Sequence, residues 1–290
     1  MTTLTHALSS VESYTRFFSQ QPVPVLRRTV ETFAKAAENI DNITRQEIAA
    51  TVQADPLMTI RLFSHIETHR EITQNKDIIT VNSALVMMGI VPFFKAFGDM
   101  PTVEEALASS PKALLGLIRV ANRASKAAHY AHDWAVIRRD LDVNEITVAA
   151  LLYEAAEMVC WLNAPDLTQR VYDMQHANRE LRSAAAQREV FGITSRELQF
   201  ALIRAWRLPK LLVDLLDPFR TENPRVRTIT LAVDLARHVA RGWHNAALPQ
   251  DIASIHELLR IPPEVLLRHT EAPEEHWPAL LSAIHSRSLF

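Results

Sequence analysis

Ile48-Ala49-Ala50-Thr51-Val52-Gln53-Ala54-Asp55-Pro56-Leu57-Met58-Thr59-Ile60-Arg61-Leu62-Phe63 decides the fold class. Its apolar residues recur at three- and four-residue spacing, the pattern of helices with a buried face. Asp55-Pro56 divides it. Asp accepts from the orphan N–H groups of a helix start, and Pro fits the first turn, where its missing N–H costs nothing. Just upstream, Thr44-Arg45-Gln46-Glu47 has the form of a capping box. The stretch therefore reads as one helix from Thr44 to about Ala54, joined at Asp55-Pro56 to a second that runs to about Thr68.

The same periodicity extends in both directions, and sustained alternation is absent. Pro22-Val23-Pro24 leads into a helix over residues 25–37. Residues 71–80 read as a polar loop. A helix over residues 81–88 ends at Gly89, which the pattern makes a left-handed cap, and a short one follows over 93–97. The strongest periodic segments are 112–138 and 144–162, each read as one long helix. Helices over 166–177 and 181–191 come next. Thr194-Ser195-Arg196-Glu197 is a second capping box, opening a helix to Trp206. Pro209 starts a short helix ending at Asp217-Pro218, and helices over 226–241, 251–259, 263–269 and 278–285 complete the chain. The expectation is an all-α protein with no internal repeat of solenoid period.

Composition narrows the function. Residues of the hydrophobic class make up 48% of the 290, enough for a sizeable core, and the net charge of −2 gives no electrostatic footprint for nucleic acid. The five glycines are dispersed, whereas phosphate-cradling loops need them clustered so that the backbone can approach the ligand. This excludes a P-loop, a dinucleotide fold and a kinase-type loop. Cys160 is the single cysteine, so no intrachain disulfide forms, and its apolar context reads as a buried inert thiol. The first eighteen residues lack a basic patch followed by an apolar run. No apolar run approaches the roughly 18 residues of a membrane span. A cytoplasmic location and no membrane association are expected.

Several segments together resemble the HDOD family, the HD-related output domain of bacterial signalling proteins. Pro22-Val23-Pro24-Val25-Leu26 resembles its Leu-Pro opening, and residues 48–63 resemble its motif of a helix ending in Asp-Pro before a leucine-rich helix. Val81-Asn82-Ser83-Ala84-Leu85-Val86-Met87-Met88-Gly89 is similar to its "SI..AI..LG" helix. Phe191-Gly192 and Trp206-Arg207-Leu208-Pro209 resemble its Phe-Gly and "W.LP" elements. The resemblance implies a two-lobe helical fold with a degenerate HD-type bundle. It divides the chain into an N-terminal helix or extension over 1–19, an HDOD-like domain over 20–220, and C-terminal helices over 221–290 packed on the same domain.

The departures bear on chemistry. Where many members carry Asn-Ser after the Asp-Pro helix, this chain has His65-Ile66-Glu67-Thr68. The segment that resembles the Leu-Leu-His-Asp of HD enzymes reads Leu151-Leu152-Tyr153-Glu154. The place of an early histidine holds Ala124-Ser125, and paired histidines after "W.LP" correspond to about Asp217-Pro218. HD enzymes hold a divalent metal with imidazole and carboxylate, and the metal acidifies bound water. With those ligands lost, the resemblance implies a non-catalytic regulatory module without cofactor, acting through protein partners.

The alternative is a metal-dependent phosphohydrolase with noncanonical ligands. His129 and His132 lie one turn apart, as do Glu154 and Glu157 on the next predicted helix. If the two faces meet, they make a helical-bundle metal site. The plainer reading is interfacial or solvent-facing histidines and surface or capped glutamates, with no metal. The dipeptide His132-Asp133 lies off the Leu151 helix and is a coincidence of letters. His65, His69, His176, His238, His244, His256 and His285 are scattered and read as surface or satisfied core. As an interaction surface, the lobe junction around Asp55, Pro56, Met87, Met88, Phe93 and Phe94 is the first candidate, although Phe93, Phe94 and Phe97 fit core packing better.

Overall fold

Capping residues and prolines set the helix boundaries. In the computed structural model, which describes residues 2–40, 42–69, 80–178, 180–217, 219–220 and 222–287, the chain runs through α1 (Val11–Ser19), α2 (Arg27–Ala37), α3 (Arg45–Gln53), α4 (Pro56–His69), α5 (Val81–Met88), α6 (Ile90–Phe97) and α7 (Val103–Ala106). It continues through α8 (Pro111–Ile137), α9 (Val143–Leu152), α10 (Ala155–Asn163), α11 (Pro165–Ala177), α12 (Ser183–Phe191), α13 (Ser195–Ala205) and α14 (Lys210–Leu215). The last helices are α15 (Pro224–Val239), α16 (Leu248–Leu259), α17 (Pro263–His269) and α18 (Trp277–Arg287), with a 3₁₀ turn at Glu274–His276. Among the described residues there is no strand, only an isolated parallel bridge between Val25 and Thr102. The all-α expectation holds.

The expected capping boxes at Thr44 and Thr194 form, each hydroxyl accepting from the N3 backbone and each N3 glutamate from the cap N–H. A third, at Thr102 with Glu105, opens α7, a helix the periodicity misses because it has a single turn. Two readings need correction. Gly89 does not end α5 in a left-handed helical conformation. Its φ of 82° and ψ of 157° lie in a region open essentially to glycine, and α6 starts at the next residue. The segment 144–162 is two helices, interrupted at Tyr153-Glu154. The expected loop over 71–80 lies outside the described residues except for Thr80, which caps α5.

The helices divide into two compact units whose segments interleave along the chain. The first comprises residues 1–122 and 152–214. In it α3 packs against α4 and α5, α1 and α10 against α13, and α11 against α12. Tyr14, Phe18, Ile48, Leu57, Met58, Phe63, Leu85 and Phe93 are core residues with almost no exposure. Gly116 on α8 allows a close approach by Trp161 of α10. A Cβ there would fall 2.5 Å from the indole ring.

The second unit comprises residues 123–151 and 215–290. Here α16 packs against α15 and α18. The buried Tyr130 hydroxyl donates to the Thr270 carbonyl at 3.1 Å. Arg225 holds three carboxylates together: Asp140 at 2.8 Å, Asp142 at 2.9 Å and Glu145 at 3.5 Å.

Candidate functional site

Two places in the first unit carry sequence elements singled out above, and a third lies along α4. At the α3–α4 junction, Asp55 is fully buried. Its Oδ1 accepts from the Leu57 and Met58 N–H groups at 2.9 and 3.2 Å, filling the cap role that Asp-Pro implies. Oδ2 accepts from the Leu26 N–H and the Thr29 hydroxyl, both at 2.8 Å, which ties the start of α2 to this joint. Burial pushes the Asp55 carboxyl above the usual carboxylate range, against the four hydrogen bonds, which pull it down. Asp55, Pro56, Phe93 and Phe94, expected as a possible interaction surface, are all buried. Their apolar chemistry is spent on the core. The neighbouring side chains that do face solvent are Val86 and Met87 on α5 and Val91 on α6, at 63%, 40% and 66% exposure.

The second place is the α9–α10 break. Gln199 of α13 is buried and spans it. Its Oε1 accepts from the Ala156 N–H at 2.7 Å, and its Nε2 donates to the Leu152 carbonyl at 2.8 Å. One neutral amide thus satisfies an orphan donor from the start of α10 and an orphan acceptor from the end of α9. Tyr153 and Glu154 occupy the break itself, the Tyr153 hydroxyl accepting from Arg196 at 3.2 Å. Nearby on α10, Cys160 is buried and free, its thiol pushed up by burial in the direction that suppresses reactivity. The α13 helix that carries Gln199 ends in a Schellman motif. Arg207 takes a left-handed φ of 54°, the Arg207 N–H donates to the Arg204 carbonyl, and the Leu208 N–H reaches the Ile203 carbonyl at 3.0 Å. Pro209 then prevents the helix from resuming.

With the Asp-Pro joint, the interrupted helix and the Trp-Arg-Leu-Pro turn all in place, the sequence matches the HDOD domain model over residues 23–218. The chain belongs to the HDOD family. Solved structures share the fold. The MmoQ response regulator from Methylococcus capsulatus str. Bath is 19% identical with a TM-score of 0.63, covering 87% of this chain and 99% of its own. A virulence factor from Campylobacter jejuni subsp. jejuni is 16% identical with a TM-score of 0.64, covering 93% and 100%. No curated protein matches the sequence.

In this HDOD protein the weak metal candidates are divided. Glu154 and Glu157 belong to the first unit, His129 and His132 to the second. His129 and His132 instead flank Asp133, at 3.6 and 3.2 Å. Among the described residues, no three His, Cys, Asp or Glu side chains gather into a group that would hold a metal ion. No described helix is long and apolar enough to cross a membrane.

The third place in the HDOD fold is one the sequence reading passed over. A cleft of about 340 Å³ opens along α4, where Arg61, Ser64, His65, Thr68 and His69 follow the i, i+3, i+4, i+7, i+8 pattern of one helix face. Ile60, Phe97 and Trp206 supply apolar walls. The Ser64 hydroxyl donates to the Trp206 carbonyl at 3.2 Å, and Arg61 Nη1 donates to the Val23 carbonyl at 2.8 Å. The His65 and His69 rings lie 4.1 Å apart, and His65 sits edge-on to Phe97 at 5.2 Å. Burial, then His69 and Arg61, hold the His65 pKa below its ordinary value. Two histidines four residues apart, with an arginine one turn before them, were a signal available in the sequence.

Proposed function

We propose that this HDOD protein is a non-catalytic regulatory module of a bacterial signalling pathway that works by binding a protein partner. The observation that carries the reading is the α9–α10 break. At the place that resembles the His-Asp ligand pair of HD enzymes stand Tyr153 and Glu154, in a helix interruption bridged by the Gln199 amide. A tyrosine does not supply the imidazole that such a metal needs. The described resemblance to a response regulator is a resemblance of fold, and it accords with a signalling role. The exposed apolar group Val86, Met87 and Val91 is the partner surface in this reading.

The test is metal content after purification without chelator, together with hydrolysis of bis(p-nitrophenyl) phosphate in added Mn²⁺. The expected outcome is substoichiometric metal and no hydrolysis above buffer. Stoichiometric Mn, Fe, Ni or Zn, lost with the activity in Glu154→Gln or His129→Gln, overturns the reading in favour of a phosphohydrolase. For the partner, affinity capture from the native host should recover a specific signalling protein that a Met87→Asp, Val91→Asp double variant loses.

A further inference from the structure

We infer that the α4 cleft is a binding site for a small phosphate monoester, independent of the break at Tyr153-Glu154 and of the protein-partner surface. Its failure as a ligand site would leave the non-catalytic reading untouched. The argument begins with Arg61. Its guanidinium is partly withdrawn from water, and burial alone lowers its pKa. One N–H is used on the Val23 carbonyl, and among the described residues no carboxylate pairs with it. A desolvated cation is ordinarily matched by an anion, because its lost hydration is otherwise uncompensated. Here the described wall of the cleft supplies no anion. Among the described residues no Asp or Glu lines it.

The remaining chemistry matches the same ligand. His65 and His69 add imidazoles and Gln21 an amide donor to the wall that carries the guanidinium, while the Ser64 and Thr68 hydroxyls donate to the Trp206 and Ser64 carbonyls. A guanidinium fork with donors on two further turns of one helix suits the three terminal oxygens of a phosphate, which Arg engages in bidentate fashion. The Phe97 and Ile60 wall gives an apolar substituent a place to rest. The volume of about 340 Å³ lies near the lower end of the roughly 300–1,000 Å³ of small-molecule sites, so the substituent is small.

The competing occupant is a divalent metal on the His65–His69 pair, since the His69 Nδ1 lies 2.8 Å from the His65 carbonyl, the contact by which a metal-ligating imidazole fixes its other nitrogen. The neighbouring Arg61 cation opposes that occupant and favours an anion. Calorimetric titration of the full chain with phenyl phosphate, phenol and ZnCl₂ decides between them. Phenyl phosphate is expected to bind one per chain and phenol not to bind. Arg61→Gln should weaken phenyl phosphate roughly tenfold or more, the worth of a charge-assisted contact, with Arg61→Lys intermediate. The His65→Gln, His69→Gln double variant, which alters a half-buried and an exposed side chain, should weaken it several-fold with the helical circular dichroism unchanged. If Arg61→Gln does not fold, the histidine variant decides. No saturable heat with phenyl phosphate, equal binding of phenol, or phenyl phosphate affinity unchanged in the folded variants overturns the inference. So does Zn²⁺ binding one per chain through the two histidines while phenyl phosphate is ignored.

Discussion

Asp55 and Gln199 both close a gap between successive helices, and they use opposite means. Asp55 is an acceptor only. It gathers four donors, three of them backbone N–H groups, at a place where one helix has just ended and another begins. Gln199 carries a donor and an acceptor on one amide, and sets one against each side of a break. Where only donors converge, a carboxylate answers them all. Where an N–H and a C=O face each other across a gap, a carboxylate would meet the C=O with repulsion, and a side chain with both a donor and an acceptor, such as an amide, fits both. The residue type at each junction follows from the polarity of the backbone groups left over.

That contrast is testable by removing each bridge in turn. Asp55→Ala strands three buried N–H groups and the Thr29 hydroxyl, and should cost about 4 kcal/mol, read as a fall in urea midpoint. If the loss is under about 1 kcal/mol, water or a shifted backbone answers those donors and the carboxylate is not the joint. Gln199→Leu keeps the volume but strands one donor and one acceptor, and about 2–3 kcal/mol is expected by the same measurement. Thr194→Ala touches neither junction directly. It removes the cap of the helix that delivers Gln199, and should cost about 1 kcal/mol.

The smallest effect is one of pH. The folded-state pKa of His65 is depressed, so protonation favours the unfolded chain. Above the unfolded value of about 6.5 the group has no influence, and stability declines as the pH falls from there through the lowered folded value. His65→Gln should flatten that decline in urea midpoints measured on either side of pH ~6.5. An unchanged slope places the titration elsewhere.

The two junctions also differ in how visible they are in the sequence. Asp55 answers N–H groups two and three residues ahead, so Asp-Pro before an apolar run announces its own geometry. The boxes at Thr44 and Thr194 are legible for the same reason, and the one at Thr102 carries the same Thr-x-x-Glu signature in front of a helix too short to show periodicity. Gln199 acts on backbone 43 and 47 residues away. Nothing local marks it, and apolar periodicity runs unbroken through Tyr153-Glu154 because Leu151, Leu152, Ala155 and Ala156 are buried on both sides. Phe93 and Phe94 show the converse limit. Aromatic clusters look alike whether they pack inward or await a partner, and only burial separates the cases. Arg61 and His65 were readable as one helix face. What periodicity does not report is that this face borders a cleft with no carboxylate among its described lining residues.

The lone thiol has a practical side. Cys160 is buried, and its raised pKa keeps it in the unreactive protonated form. A maleimide spin label or fluorophore therefore meets no competing native site. A Met87→Cys or Val91→Cys variant would carry a single addressable reporter on the exposed apolar group, without first deleting a cysteine from the core. The chain is in effect already prepared for distance measurements and for reporting on the proposed partner surface.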